Sequence, residues 1–438
     1  MAHGGRLSLA SGIAMFIHSA VRARWSAVLA VLALSAAPAA SQTPLTLAEA
    51  LRLAEGRAPS VSSLDAAARG ARELAASSNQ LPDPVLRAGL DNVPVNGPDA
   101  FTLDRDFMTM RRIGVMQEYV SVAKREARRD RGEREARRWE AEAEMSRADL
   151  RVEVASAWYD RVFALRTERL LQELEREIAM QRRATEAQVV GNKATPADVL
   201  AVDALLIQSR DRVIATRRQQ QVAIARLARW LGDEASRPPA GDDGLPSASE
   251  VLALSEHGPH NIPHLRALGG QLDVAEAEVE VARQNRNPNW SLEVSYQHRA
   301  PSFSNMISVG VSVPLPIARE ERQDREVAAR LAQRDQARDQ LLDAQRRHAA
   351  EFNAMQIEWL ALNERQHELQ RALMPIARQR VDALLAAYGS GQRDLLAVLE
   401  ARRAEVDARI QILELEREAA RVWARLRYTY LDAERGKP

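Results

Sequence analysis

The side chains that could do chemistry in this sequence include a group of methionines. Met108, Met110 and Met116 are evenly spaced, so on a continuous strand they would share one face, where thioethers could meet Cu(I). Met108 and Met110 are expected at the loop end of a strand and Met116 within it, positions where a flexible apolar side chain suits a lipid face or a packing face equally well. We therefore favour packing over metal ligation.

Three histidines form a second candidate site. His257, His260 and His264 lie close together in "HGPHNIPH" and could bind a divalent cation weakly. Incidental histidines at the entry to a helix are the favoured interpretation, and we predict neither a metal site nor a cofactor.

Motifs for catalysis are missing from the sequence. It contains no cysteine, no HExxH, no glycine-rich phosphate loop and no G-x-S-x-G. Its carboxylates are too numerous and too regularly paired with arginine to single out an acid–base couple. We predict that the protein is not an enzyme.

The composition indicates long helices. Ala, Leu, Arg, Glu and Gln dominate, aromatic residues make up 4% and charged residues 28%, a mixture typical of coiled coils. Lys and Arg total 61 and Asp and Glu 60, so there is no basic excess to attract nucleic acid. Nucleic acid is not an expected partner.

Residues 1–41 have the pattern of a cleaved secretory signal peptide. Arg22 and Arg24 precede an apolar run, and Ala37-Pro38-Ala39 offers a small-x-small cleavage site. A transmembrane anchor is the alternative, but the run of about 13 residues is shorter than the roughly 20 that span a bilayer. Because the sequence contains no cysteine, we expect no lipid anchor on an N-terminal cysteine of the mature chain.

The rest of the chain repeats one plan at an offset of about 200 residues. We predict a first repeat over 42–236, a linker over 237–247, a second repeat over 248–433 and a tail over 434–438. Each repeat has a helix, two short strands, a very long helix, a turn and a returning helix. The predicted helices cover 46–80, 122–190 and 196–231, then 248–287, 318–388 (kinked or loosened at Pro375) and 394–430.

Four segments read as short strands, each alternating apolar with polar or small residues over about nine positions, the length of a tilted membrane strand. They are 84–92, 111–119, 290–298 and 305–313. Four strands cannot close a barrel, and open edges are not tolerated in lipid, so the chain would have to pool its strands with other copies; three copies would give a twelve-stranded barrel. A small soluble sheet capping a coiled coil is the alternative.

Taken with this repeat, several motifs give the chain a family resemblance. "YGSGQRDLLAVLEA" resembles the periplasmic-tip turn of the TolC-type outer-membrane efflux factors, although Ala397 stands where that family often has Asp. "LPDPVLRAGLDNVP", "MTMRRIGVMQEYVSVAKRE" and "VPLPIARE" are similar to the heavy-metal cation branch.

The resemblance implies a mainly α protein with a small β part. Long α-helical hairpins would form a periplasmic α-barrel, and four strands per chain would contribute to a trimeric 12-stranded β-barrel in the outer membrane. Such a homotrimer would contact outer-membrane lipid and serve as the exit duct of a tripartite system, with a periplasmic adaptor and an inner-membrane RND pump. Heavy-metal cations are the expected cargo; the alternatives are a duct for organic compounds or drugs, and a periplasmic coiled-coil adaptor or scaffold.

The resemblance also implies a gate at the periplasmic tip. The candidates are Asp198, Tyr388, Arg393 and Glu400, with Asp394 as a further tip acid. A phenol and a guanidinium can bridge neighbouring helices, and carboxylates repeated by symmetry would favour cations. The two tips align in two ways that differ by three residues: Asp198 matches either Asp394 or Ala397.

Overall fold

A computed structural model describes residues 43–240, 249, 251 and 262–431. The predicted signal peptide, His257, His260, residues 241–247 of the predicted linker and the predicted tail lie outside this part of the chain.

The described part of the first half contains four α-helices and two strands. Their bounds are α1 Leu47–Arg57, α2 Pro59–Ser78, β1 Val85–Asp91, β2 Met110–Tyr119, α3 Val122–Val190 and α4 Pro196–Leu231, followed by a short 3-10 helix over Gly232–Ser236. Helix α3 has 69 residues and is therefore about 100 Å long. Its predicted bounds are confirmed.

The second half follows the same order. It contains α5 Pro263–Gln284, β3 Trp290–His298, β4 Met306–Ser312, α6 Gln323–Glu368, α7 Met374–Gly389 and α8 Leu395–Leu426. A π-helical turn over Leu369–Leu373 joins α6 to α7 directly before Pro375, and a second π turn follows α8. The predicted loosening at Pro375 is confirmed, since proline has no N–H to continue the α-helical ladder.

One predicted helix is wrong in its continuity. The segment predicted as a single helix over 46–80 breaks at Ala58, which has extended backbone angles, so α1 ends and α2 begins there. Pro59 causes the break, because a residue that precedes proline is disfavoured in the helical conformation.

The main core lies where α1, α3 and α4 meet. Trp158 of α3 is fully buried there among Leu45, Ala54 and Leu227. Arg161 lies beside them and donates hydrogen bonds to the carbonyls of Ala235 (2.7 Å) and Ser236 (3.1 Å). The helical hairpins are held by a second cluster, in which α3, α4 and α8 contribute residues such as Leu174, Leu206 and Ile410.

The passage from sheet to long helix is fixed by hydrogen bonds at the start of α3. Ser121 caps the helix by accepting from the backbone N–H of Lys124. The buried Lys124 ammonium donates to the carbonyl of Asn287 (2.7 Å) and to Oδ1 of Asn289 (2.8 Å). Burial lowers the pKa of Lys124. The loop that precedes β3 is thereby joined to the start of α3.

None of the described helices is both long and apolar enough to cross a membrane.

The crossing of α2 and α3 requires a glycine. A Cβ at Gly132 would lie 2.7 Å from the Cβ and 2.9 Å from the Cα of Ala75, whereas a Cβ at Gly70 of α2 would meet no atom within 4 Å. We expect Gly132→Ala to lower the free energy of unfolding by about 1–3 kcal/mol, because the helices must separate. The matched change Gly70→Ala should raise it by up to about 1 kcal/mol through helix propensity. Chemical denaturation of both variants measures the difference; equal effects would contradict the close crossing.

Candidate functional site: the sheet and the hairpin tips

The strands form one antiparallel sheet in the order β1-β2-β3-β4. The predicted strands differ from the observed ones by at most one residue at each end. Strands β1 and β4 are the two edges, and each pairs on one side only.

One face of this sheet is apolar across its whole width. The register aligns Leu86 with Val115, Val115 with Val294 and Val294 with Val309. A neighbouring row runs through Ala88, Ile113, Tyr296 and Ile307. These side chains are exposed: Leu86 is 68% and Val309 67% accessible. A contiguous exposed apolar surface of this kind marks an interaction with lipid or with another protein.

The opposite face is polar and internally bonded. The Arg87 guanidinium lies 2.9 Å from the Glu293 carboxylate, and Arg112 lies 3.2 Å from Asp91 and 3.7 Å from Glu293. Gln297 donates to Ser308 at 2.9 Å. The sheet therefore presents two chemically different surfaces.

The methionines lie on or beside the polar face. Met108 is in the loop before β2, and Met116 accepts a hydrogen bond from Arg87 at its sulfur (3.0 Å). Met110 is the first residue of β2 and shares the face of Met116. The suggestion that they suit a lipid face is not supported, because the apolar face is built from the alternate residues. Among the described residues there is no group of three or more His, Asp or Glu that could hold a metal ion.

The hairpin tips have the same local geometry in both halves. The turn after α3 is closed by bonds from Gly191 N–H to the Ala187 carbonyl and from Lys193 N–H to the Gln188 carbonyl. Matching bonds close the turn after α7, from Ser390 N–H to Ala386 and from Gln392 N–H to Ala387. Asn192 and Gly391 take the left-handed conformation at corresponding points.

These turns align the two halves and assign different roles to the tip acids. Thr195 and Asp394 are the N-cap residues of α4 and α8, so Asp198 corresponds to Ala397 and not to Asp394. Asp198 completes a capping box, accepting from the backbone N–H and hydroxyl of Thr195 (2.7 and 2.8 Å). These bonds lower the pKa of Asp198. Asp394 accepts from the N–H of Ala397 at 3.1 Å.

The two tips meet around a cavity of about 430 Å³. Four of the predicted residues line it: Asp198, Tyr388, Arg393 and Asp394. Gln188 of α3 donates a hydrogen bond to the Tyr388 hydroxyl and so links α3 to α7. Glu400 is exposed and is not part of the cavity lining.

Two contributors to this region were missed in the sequence. Neither Gln188 nor Lys193 was marked by a sequence signal as a tip residue. Only the packing of the hairpins brings them to the cavity. Farther from the tip, Arg402 of α8 holds Glu177 of α3 through two hydrogen bonds of 2.8 Å. The hydrogen bond from Arg402 lowers the pKa of Glu177. Arg402 also contacts the buried Glu405, so α3 and α8 share a charge network.

Comparison with known proteins finds a matching family model and a similar resistance protein. Residues 260–429 match the outer membrane efflux protein family. The chain is 25% identical over 385 residues to the cobalt-zinc-cadmium resistance protein CzcC of Cupriavidus metallidurans, covering 86% of this chain and 87% of that one.

Solved channels share the fold. The outer-membrane channel OprN aligns with a TM-score of 0.72 at 20% identity, over 88% of this chain and 89% of that one. The outer membrane protein VceC of Vibrio cholerae aligns with a TM-score of 0.72 at 16% identity, over 88% and 96%. CusC, described as forming a transmembrane channel, aligns with a TM-score of 0.71 at 14% identity, over 89% and 93%.

These similarities agree with the two-faced sheet, the long hairpins and the paired tips. They indicate a transport protein and not an enzyme. Residues 260–429 thus match the outer membrane efflux protein family, and the chain as a whole shares the fold of solved outer-membrane channels.

Proposed function

We propose that three copies of this chain form an efflux duct across the outer membrane. The observation that carries the proposal is the exposed apolar row from Leu86 to Val309, which crosses all four strands. Lipid would cover that face, and edge β1 of one copy would pair with edge β4 of the next, because unpaired backbone is costly in hydrocarbon. Twelve strands close such a barrel.

The polar face would then line the pore. Its charges are largely balanced by the contacts of Arg87 and Arg112 with Glu293 and Asp91, so this part of the pore accepts water and ions without a strong selectivity. The long hairpins would extend the pore away from the membrane as a helical tube, because α3 alone measures about 100 Å.

The tip cavity is the proposed gate. Tyr388 is tied to Gln188 of α3, while Arg393 is exposed and makes no ion pair with any described residue of its own chain. The guanidinium of Arg393 is therefore available to bridge to a neighbouring copy. Asp198 and Glu400 would add negative charge to the constriction, and Asp394 would act first as the cap of α8.

Heavy-metal cations are the proposed cargo, and the similarity to the cobalt-zinc-cadmium resistance protein supports this. An inner-membrane RND pump would supply energy and a periplasmic adaptor would dock at the tips. Organic compounds or drugs remain the second cargo class, since a pump can set selectivity before the duct is reached. A periplasmic adaptor or scaffold is disfavoured by the exposed apolar sheet.

The gate can be tested by conductance. Loss of one hydrogen bond costs about 1 kcal/mol and would multiply an open population about fivefold. We expect Tyr388→Phe combined with Arg393→Ala to raise the conductance of the purified protein in planar bilayers, and Gln188→Ala alone to raise it less.

Arg425→Ala is the matched control, because Arg425 is an exposed arginine in the last turn of α8, far from the tip. Equal conductance in the wild type, the double variant and the control would contradict the assignment of the gate. It would not contradict the proposal that the protein is a duct.

The cargo can be tested by growth. We expect deletion of the gene to sensitise the host to zinc, cobalt, cadmium or copper, and the wild-type gene to restore growth. Sensitivity to drugs with unchanged growth on every metal would overturn the proposed cargo.

A further inference from the structure

Helices α4 and α8 both pack on α3 and leave a crevice between them. Part of it is a cavity of about 260 Å³. One wall carries Arg218 and Arg226 of α4, the other Arg417 and Arg421 of α8, and Asp160 of α3 lies at the floor. We call these five residues the arginine crevice.

The charges of the arginine crevice are poorly balanced. Asp160 is the one carboxylate among the described lining residues, and its contacts are long: 3.5 Å to Arg226 and 3.9 Å to Arg421. Arg218 and Arg417 make no ion pair within the described part of the chain. The Nε of Arg417 is buried without a hydrogen-bond partner there.

The rest of the α4–α8 contact is built differently. Closer to the tips, Arg212 of α4 lies 2.6 Å from Asp407 of α8, and Arg403 of α8 donates to Gln208 of α4 at 3.1 Å. There a cation meets an anion or an amide. In the arginine crevice cations face cations, which repel each other in a partly desolvated space, and an unpaired buried donor adds a desolvation cost.

We propose that the arginine crevice binds a small multivalent oxyanion bearing phosphate or carboxylate groups. Guanidinium groups bind such oxyanions through paired, charge-assisted hydrogen bonds. The cavity volume of about 260 Å³ limits the ligand to a small molecule.

The position of the crevice indicates a soluble ligand. Asp160 lies roughly 57 Å along α3 from its start at Val122, so lipid headgroups around the sheet are out of reach. The exclusion of lipid rests on the proposed function, because it assumes that the sheet lies in a membrane. The charge imbalance of the arginine crevice does not depend on that function.

The bound anion would clamp α4 to α8. Both walls would donate to one ligand, so the repulsion between them would become a shared attraction. A ligand that binds only the folded protein also stabilises it. A small anion dissolved in the surrounding medium would in this way make the helical hairpins more rigid.

Calorimetric titration of the purified full-length protein with inorganic pyrophosphate and with citrate tests the proposal. We expect saturable binding that weakens with added salt, a raised melting temperature, and about tenfold weaker binding in Arg417→Gln. Arg218→Gln, on the other wall, should also weaken binding; because Arg218 is exposed, this variant keeps the test valid if Arg417→Gln misfolds.

The matched control is Arg425→Gln, which removes one positive charge from α8 about one turn beyond the crevice. It should bind like the wild type. Equal binding by the wild type, both crevice variants and the control would show non-specific attraction and overturn the site. Absence of any binding would also overturn it and would leave the crevice for acidic side chains of a partner protein.

Discussion

The edges of a four-stranded sheet constrain this molecule more than any other feature. Strands β1 and β4 each leave one row of backbone groups unpaired, and the face between them carries exposed apolar side chains from every strand. Unpaired strand edges are costly in lipid, and a contiguous exposed apolar face is unfavourable in water. The pairing of β1 with β4 of another copy would satisfy the edges, and lipid would cover the apolar face. The proposed assembly follows from these two needs.

The long, thin helical hairpins are held together without a large hydrophobic core. Small apolar clusters, such as that of Leu174, Leu206 and Ile410, alternate with arginine–carboxylate contacts such as Arg402–Glu177 and Arg212–Asp407. Exposed ion pairs of this kind contribute little each, so the apolar clusters supply most of the stability and the charges mainly fix which helices lie together. The arginine crevice differs from these contacts, because its four arginines face one another and Asp160 is the one carboxylate among its described lining residues.

Local signals predicted most of the fold. Helix formers without proline gave the bounds of α3, and the alternation of residues gave all four strands to within one residue. The break at Ala58 shows the opposite case, because the single Pro59 within a run of helix formers ends one helix and starts the next. What depended on register or packing could not be predicted: the polar face of Met116 follows from its pairing with Glu293, and the link from Gln188 to Tyr388 joins residues of different hairpins. The capping role of Asp394 depends on where α8 begins, since its carboxylate accepts from the N–H of Ala397.

Cysteine cross-linking of the strand edges tests the central claim most directly, since the chain contains no cysteine of its own. Ala88→Cys on β1 would be combined in turn with Ile307→Cys, Val309→Cys and Val311→Cys on β4, and the membrane-extracted protein would be oxidised. The account predicts covalent trimers, and nothing larger, for at least one of these pairs. Variants that carry only the cysteine on β4 should remain monomers. Monomers at every pair, in protein whose sheet is intact by circular dichroism, would contradict the pairing of β1 with β4 and with it the duct.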